Sequence, residues 1–524
     1  MPDRQLYATP FCTLLYAHAE AERHYRMAIE WARRIGDTHR EGEALEKLAD
    51  ILYHLSRFAE AMDCLERAIR IYRDARNWER LAWAIAQISR AGDPLGLAEV
   101  SMARLEEFFT TLATVADSRD GESEPHRSET GALEERAERA ASLLTPKTAA
   151  RVYLCLTTRL LFLGRTDEVY EPSERTIQHA RVAGDLRIES LAYAFRSRAQ
   201  QAQGKMEAFS VSATLAHQRA LASGDLEALY MALGGIANLH ELRAEPRCAR
   251  DACVRILEAT TQLGNASYVA ETLCNLAYFD IILGEWDNAA RQLEQARAMQ
   301  GESPSDNLSA PALGLALLGA LRDPVSADTL AHAERASGAL IQWISVWAIM
   351  TLAELDILAG HADAAAAGLR RIIEQGEADP LYRRYLYPPL AWAELELGDY
   401  PGAAETLGEA RRQADVYQYR AALMDIKRVE ALLALREGRW EEARKALEQS
   451  LAICTEAPYP YAEAKAHYVY GQFHEAMGAL ALAREEYGRG LAICDRLGER
   501  PYRARIEEAL KEPPVDGGDG ATER

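Results

Sequence analysis

Small, bulky and polar residues follow one another in a block that the chain repeats about every forty residues. Taking Ala443 as an anchor, equivalent residues are Ala61, Val169, Phe209, Ala249, Ala289, Ala365, Ala403 and Ala483, with weaker matches at Ala21, Leu97 and Ala327. Four residues after the anchor come Leu65, Leu293, Leu369, Leu407, Leu447 and Tyr487; seven after it come Ala68, Ala296, Ala410, Ser450 and Gly490. Offsets of four and seven lie on one stripe of an α-helix, so a helix runs through each anchor. Five residues before the anchor stands a glycine at Gly164, Gly204, Gly284, Gly360, Gly398, Gly438 and Gly478. Glycine there suits the left-handed residue that closes a preceding helix. Twelve before the anchor, Ala49, Ala237, Ala277, Ala353, Ala391, Ala431 and Gly471 are small again. The pattern predicts pairs of antiparallel helices that approach closely at their small residues, with bulky residues filling the space to the next pair.

One such hairpin cannot bury its apolar face alone, so copies must stack. The expected fold is all-α, a right-handed α-solenoid (superhelix) of about twelve helical hairpins with a 38–40-residue repeat. Repeats are expected over 1–115, 132–300 and 312–512. Between them, 116–131 is polar and punctuated by Gly and Pro and reads as a flexible loop, and 301–311 reads as a second loop. An extra helix follows the first loop. The last repeats end in a capping helix near Pro501, and 513–524 reads as a disordered tail. Pro10 falls where a first helix should be running; proline in a helix interior costs about 3 kcal/mol, so the N-terminal helix is expected to be short or irregular.

An aromatic residue three before the anchor, at Phe58, Trp286, Tyr400 and Trp440, completes a block that resembles the tetratricopeptide repeat (TPR). Repeats of that family are usually about 34 residues long, so this form is extended. The longer form, with Gly36-Asp37, Gly184-Asp185, Gly224-Asp225 and Gly264-Asn265 between hairpins, is similar to the C-terminal TPR arrays of bacterial multidomain signal-transduction ATPases and transcriptional activators of the maltose-activator type. The resemblance implies a protein-binding or ligand-sensing superhelix, the sensor or interaction module of a bacterial signal-transduction or transcriptional regulator. The alternative is a stand-alone assembly scaffold or adaptor. The partner would be a protein or peptide, or a small polar ligand.

Charge narrows the partners. With 60 Lys and Arg against 80 Asp and Glu, the net charge of −20 repels phosphate backbones and anionic lipid. No nucleic-acid or membrane partner is expected. No apolar run approaches the ~18 residues of a membrane span, and no secretory signal is visible, so the expected compartment is the cytoplasm. The eight cysteines are scattered without a CxxC pair, which speaks against a disulfide framework or a zinc site; Cys454 and Cys494 simply share a repeat position.

Candidate chemistry thins out quickly. The lone Gly-Lys, Gly204-Lys205, precedes Met206 and lacks the rest of a phosphate-binding loop, so no nucleotide or other cofactor is expected. His467 and His474 read as partly exposed helix histidines, and no metal site is expected. Glu441-Glu442 and Glu485-Glu486 read as solvated helix faces. No nucleophile–base pair is legible, and the chain is not read as an enzyme.

Surface remains. In TPR arrays the first helix of each hairpin lines the concave face, and the resemblance places the residue eleven before the anchor there. That column gives Arg198, Asn238 and Tyr278 in three consecutive repeats, with Gln201 and Glu241 one turn along. They form either a partner-binding groove or an ordinary solvated wall. A second candidate surface is the tyrosine-rich stretch around Tyr382, Arg383, Tyr385 and Trp392, joined by Tyr417, Tyr419, Tyr459, Tyr461, Tyr468 and Tyr470. Aromatics with arginine favour binding hot spots; packing between long helices is the other reading.

Overall fold

At all seven predicted turn glycines the backbone is left-handed, with φ between 70° and 87°. Where the repeat has lost that glycine the conformation persists: Ser56 has φ 59° and Ala244 φ 60°. A residue with a Cβ costs about 1–2 kcal/mol there, so packing on both sides must hold the turn in place. The connections between hairpins use two residues. Gly36, Gly184, Gly224 and Gly264 are left-handed, and the next side chain caps the following helix. Asp37 accepts from the Arg40 N–H at 3.0 Å, Asp185 from Ile188 at 3.1 Å and Asn265 from Tyr268 at 3.0 Å.

The computed structural model describes residues 3–120, 133–300, 310–322, 343–374 and 384–511, with side chains from His18 onward. These residues form 24 α-helices and no strand. The fold is an all-helical solenoid. The nine strong anchors are no more than 4% exposed. The six bulky residues four positions on are buried as well, and each such side chain contributes about 1.5–3 kcal/mol by leaving water.

The N-terminus departs from expectation. Residues Asp3–Ile35 form one continuous helix of 33 residues, so the weak anchor Ala21 does not mark the second helix of a hairpin, and Pro10 neither shortens nor breaks the segment. No glycine precedes Gly36. Proline therefore stands alone as a helix breaker: at the eighth residue it forfeits the bond to the Leu6 carbonyl, and no neighbouring glycine adds to that cost. Of the loop expected over 116–131, helix Ala98–Asp120 takes the first five residues, and a helix follows at Leu133–Ser142. Of 301–311, helix Ala310–Arg322 takes the last two. The remainder of both segments, the anchor Ala327 and the tail 513–524 lie outside the described residues. The last described helix is Pro501–Lys511.

The chain divides into two compact units, Met1–Asn238 with Ala252–Thr272 and Leu239–Asp251 with Leu273–Arg524. Each is stitched by bonds between residues remote in sequence. In the first, the Tyr53 and Tyr268 hydroxyls meet at 2.6 Å, and those of Ser56 and Ser267 at 2.7 Å. In the second, the Arg420 N–H donates to the Leu242 carbonyl at 2.8 Å and the Arg500 N–H to that of Leu321 at 2.9 Å.

Candidate binding site

The second unit holds a cavity of about 120 Å3. Helical spacing explains most of its wall. Trp347, Met350 and Glu354 share a stripe of helix Trp343–Leu358, and Tyr461 and Lys465 share one of helix Pro460–Ala476. Tyr278 and Ile281 come from helix Ala266–Ile282, and Glu241 from the last turn of helix Leu226–Leu242. Two irregular stretches complete it: Tyr385 in the short turn Arg384–Leu386, and Tyr419 between helices Tyr400–Val416 and Leu423–Arg436. Ile282, Trp347, Met350, Ala422 and Ala462 are only half-buried, which marks the side from which solvent reaches the wall.

One end of the cavity is built around Glu241. Tyr419 donates its hydroxyl to Glu241 Oε1 at 2.9 Å. Burial drives the carboxyl toward its neutral form and raises its pKa, although the Arg384 guanidinium and the hydroxyls of Tyr419, Tyr385 and Tyr278 pull the other way. Arg384 lies over the rings of Tyr417, Tyr385 and Tyr419 at 4.8, 5.1 and 5.2 Å. The other end is ionic. Lys465 Nζ stands 2.8 Å from Glu354 Oε1, 3.3 Å from Asp425 Oδ1 and 5.0 Å from the centre of the Tyr461 ring. Arg428 Nε reaches the same Asp425 oxygen at 3.1 Å, and its Nη2 lies 3.7 Å from Glu354. Burial alone would raise the Asp425 pKa; the two cations overcome it and hold the carboxyl down at about 2.

This arrangement can bind but is not primed to react. Burial pushes the pKa values of Tyr278, Tyr385, Tyr419, Tyr459 and Tyr461 upward, so all five are neutral phenols. The wall's amine, Lys465, is clamped between two carboxylates.

Glu241 and Tyr278 of the first sequence-derived surface thus meet Tyr385 of the second in one cavity. Trp392 lies outside it: its ring is buried, with the Arg428 guanidinium 4.8 Å above it and its indole N–H donated to Glu396 at 3.1 Å. Tyr382 and Arg383 lie outside the described residues. Arg198, Gln201 and Asn238 belong to the first unit. Arg198 is exposed, and its charge acts on Glu271 and Tyr230, themselves joined by a 3.2 Å hydrogen bond. Asn238 is half-buried, whereas Gln201 is only 2% exposed. Glu354, Asp425 and Lys465 were not singled out as a set by sequence. A cation and carboxylates on neighbouring helices leave no periodic signal that separates them from surface pairs.

Contrary to the sequence expectation, His467 is not a partly exposed helix histidine, and Glu486 is not on a solvated face. Both are buried, with His467 Nδ1 2.6 Å from Glu486 Oε2. Their helices pack face to face, which a single-helix reading cannot see. Burial opposes a charged His467, but bonding to Glu463 and Glu486 outweighs it and raises the pKa above the usual 6.5. Glu486, also opposed by burial, is lowered below 4.5 by His467 and Arg489. The raised histidine stabilises the fold below pH 6.5 and loses that contribution as pH rises through its folded value. The lowered glutamate stabilises above pH 4.5 and fades as pH falls through its own. Replacing His467 with Gln should therefore cost most between those limits, about 1.5–3 kcal/mol for a bond to a charged group. Melts at pH 5.5 and pH 9 test this; an equal loss at both would refute the pairing.

Among the described residues, His240, Glu245 and Cys248 bring three potential metal donors within 4.8 Å of one another. Glu245 and Cys248 are exposed, and the 2.5 Å bond between His240 Nδ1 and Glu245 accounts for the cluster without an ion. Cys454 and Cys494 are buried, and burial raises both thiol pKa values, that of Cys454 to about 12. No helix among the described residues is long and apolar enough to cross a membrane.

Residues 17–74 match a family model described as a tetratricopeptide repeat. No curated protein matches the chain in sequence. Among solved structures, the chain is similar to one described as an APC/C hetero-tetramer, Cut9-Hcn1, at 13% identity and a TM-score of 0.44, over 94% of this chain and 90% of that one. It is also similar to a Rap protein complexed with competence and sporulation factor, at 13% identity and a TM-score of 0.35, over 69% and 96%. Tetratricopeptide repeats imply a role in protein–protein interaction or as a scaffold.

Proposed function

We propose that this chain is a protein-binding or ligand-sensing superhelix, the sensor or interaction module of a bacterial signal-transduction or transcriptional regulator. Its cavity in the second unit would receive a peptide side chain or a small polar ligand. The cavity itself carries the reading. Protein interiors pack to crystal density with few voids larger than a water molecule. Here about 120 Å3 is left open between five tyrosines, three carboxyl groups and a lysine. Stability alone would have such a space filled. In the first unit, exposed Arg198 and half-buried Asn238 would add partner contacts.

A thermal-shift screen of peptides and small polar compounds tests the proposal. A hit should lose about 2 kcal/mol of affinity, roughly 30-fold, in Tyr278→Ala, with the circular dichroism spectrum unchanged. Hits that bind Tyr278→Ala and Glu241→Gln as tightly as the parent chain would place binding elsewhere. A stand-alone scaffold or adaptor is the second reading. It is favoured by Met27, Trp31 and Ile35, spaced by four on one stripe of the first helix and 51%, 62% and 62% exposed.

A further inference from the structure

We infer that the second unit's cavity takes a weakly hydrated organic cation, an alkylated ammonium group carried by a small molecule or a side chain. The inference rests on that cavity being the binding site. Five tyrosine rings line it, and aromatic faces attract cations through their quadrupoles. The chain already uses three of these rings in that way: Arg384 lies over Tyr385 and Tyr419, and Lys465 over Tyr461. Tyr278 and Tyr459 stand on the same wall.

The charges decide which cation. Glu354 and Asp425 are balanced by Lys465 on the wall and by Arg428 beside it, and Glu241, which burial drives toward its neutral form, faces Arg384. A site with no net negative charge cannot repay the dehydration of ammonium or a metal ion. A quaternary or heavily methylated ammonium loses little hydration and presents methyl groups to Ile281, Val346 and Met350. An anion would meet ring faces and carboxylate oxygens, while the wall's ammonium is already paired with Glu354 and Asp425. The volume also fits. An engineered protein cavity of about 150 Å3 holds benzene, and a tetramethylammonium ion is comparable in bulk.

Calorimetric titration of the full chain with choline, tetramethylammonium, ammonium chloride and the neutral choline isostere 3,3-dimethylbutan-1-ol tests the inference. Choline and tetramethylammonium should bind at least about tenfold more tightly than the neutral alcohol, with no heat from ammonium. Tyr278→Phe, which keeps the ring face, should retain that binding, and Tyr278→Leu should reduce it about tenfold or more. Equal affinity for choline and the alcohol, both lost in Tyr278→Leu, would overturn the cation preference and leave the cavity as the binding site. Choline binding that survives Tyr278→Leu would overturn the inference by placing the cation elsewhere. Absence of heat from both alkylammonium probes would overturn it as well, and the library hits and their Tyr278→Ala response would then decide separately whether the cavity binds anything.

Discussion

Lys465→Met should destabilise the second unit by about 3–5 kcal/mol, the range for removing one partner of a buried ionic cluster. Lys465 is 5% exposed and bridges Glu354 and Asp425, which belong to two other helices. Without it, two carboxylates share Arg428 alone. One negative charge is then left without a partner in a site that burial already makes hostile to it. Methionine keeps most of the volume, so the loss isolates charge from packing. Native-state hydrogen exchange should show it as faster opening of helices Leu423–Arg436 and Pro460–Ala476. The double variant Lys465→Met with Glu354→Gln should recover much of the loss, because it restores one carboxylate to one arginine. A single variant within about 1 kcal/mol of the parent would mean that water, not Lys465, compensates the carboxylates.

Gly471→Ala should also destabilise, against the usual trend. In an exposed helix interior alanine is better than glycine by about 1 kcal/mol. Here a Cβ would lie 2.2, 2.4 and 2.7 Å from Cε1, Cδ1 and Cζ of Tyr487. That ring is buried, and its hydroxyl donates to Glu475 at 2.7 Å, so it cannot swing aside without breaking the bond. Overlaps this short put the overpacking cost at the top of its usual range, about 3 kcal/mol, so a net loss on the order of 2 kcal/mol remains after the propensity gain of about 1 kcal/mol. Gly488, exposed in the neighbouring helix where an added methyl would meet nothing within 4 Å, is the control. Gly488→Ala should stabilise by about 1 kcal/mol. Urea unfolding of the two variants should move in opposite directions. A stabilised Gly471→Ala would show that the two helices can part at no cost.

The Gly471–Tyr487 contact shows what sequence alone could disclose. Both residues fall on the repeat's own offsets, twelve before and four after Ala483. A tyrosine where other copies have leucine already asks for a small neighbour. The turn glycines were legible for the same reason, since each repeat restates a local rule. The cavity obeys no such rule. Glu241 and Tyr419 are 178 residues apart, and Lys465 and Glu354 are 111 apart. Their meeting depends on how far the array curls over several hairpins, which is a sum of small rotations that no single block encodes. The concave column and the turn beside it therefore named Tyr278 and Glu241 as part of a binding groove or a solvated wall, without bringing them together with Tyr419. The 33-residue first helix is hidden in the sequence by Pro10, a breaker that no nearby glycine reinforces.

The long-range stitches also impose a schedule on a chain that is still being made. Neighbouring helices can pair as soon as both have left the ribosome, whereas Glu241 must wait for Tyr419, its hydrogen-bond donor 178 residues downstream. At about 5–20 residues per second that wait is roughly 10–35 s. Over that interval the carboxyl can meet Tyr278 and later Arg384 and Tyr385 but not its Tyr419 donor, and the hairpins already emerged are not yet closed by it. For this half of the molecule, synthesis of Arg500, whose N–H reaches back to the Leu321 carbonyl, rather than the pairing of any two helices, sets the earliest moment at which the fold can shut.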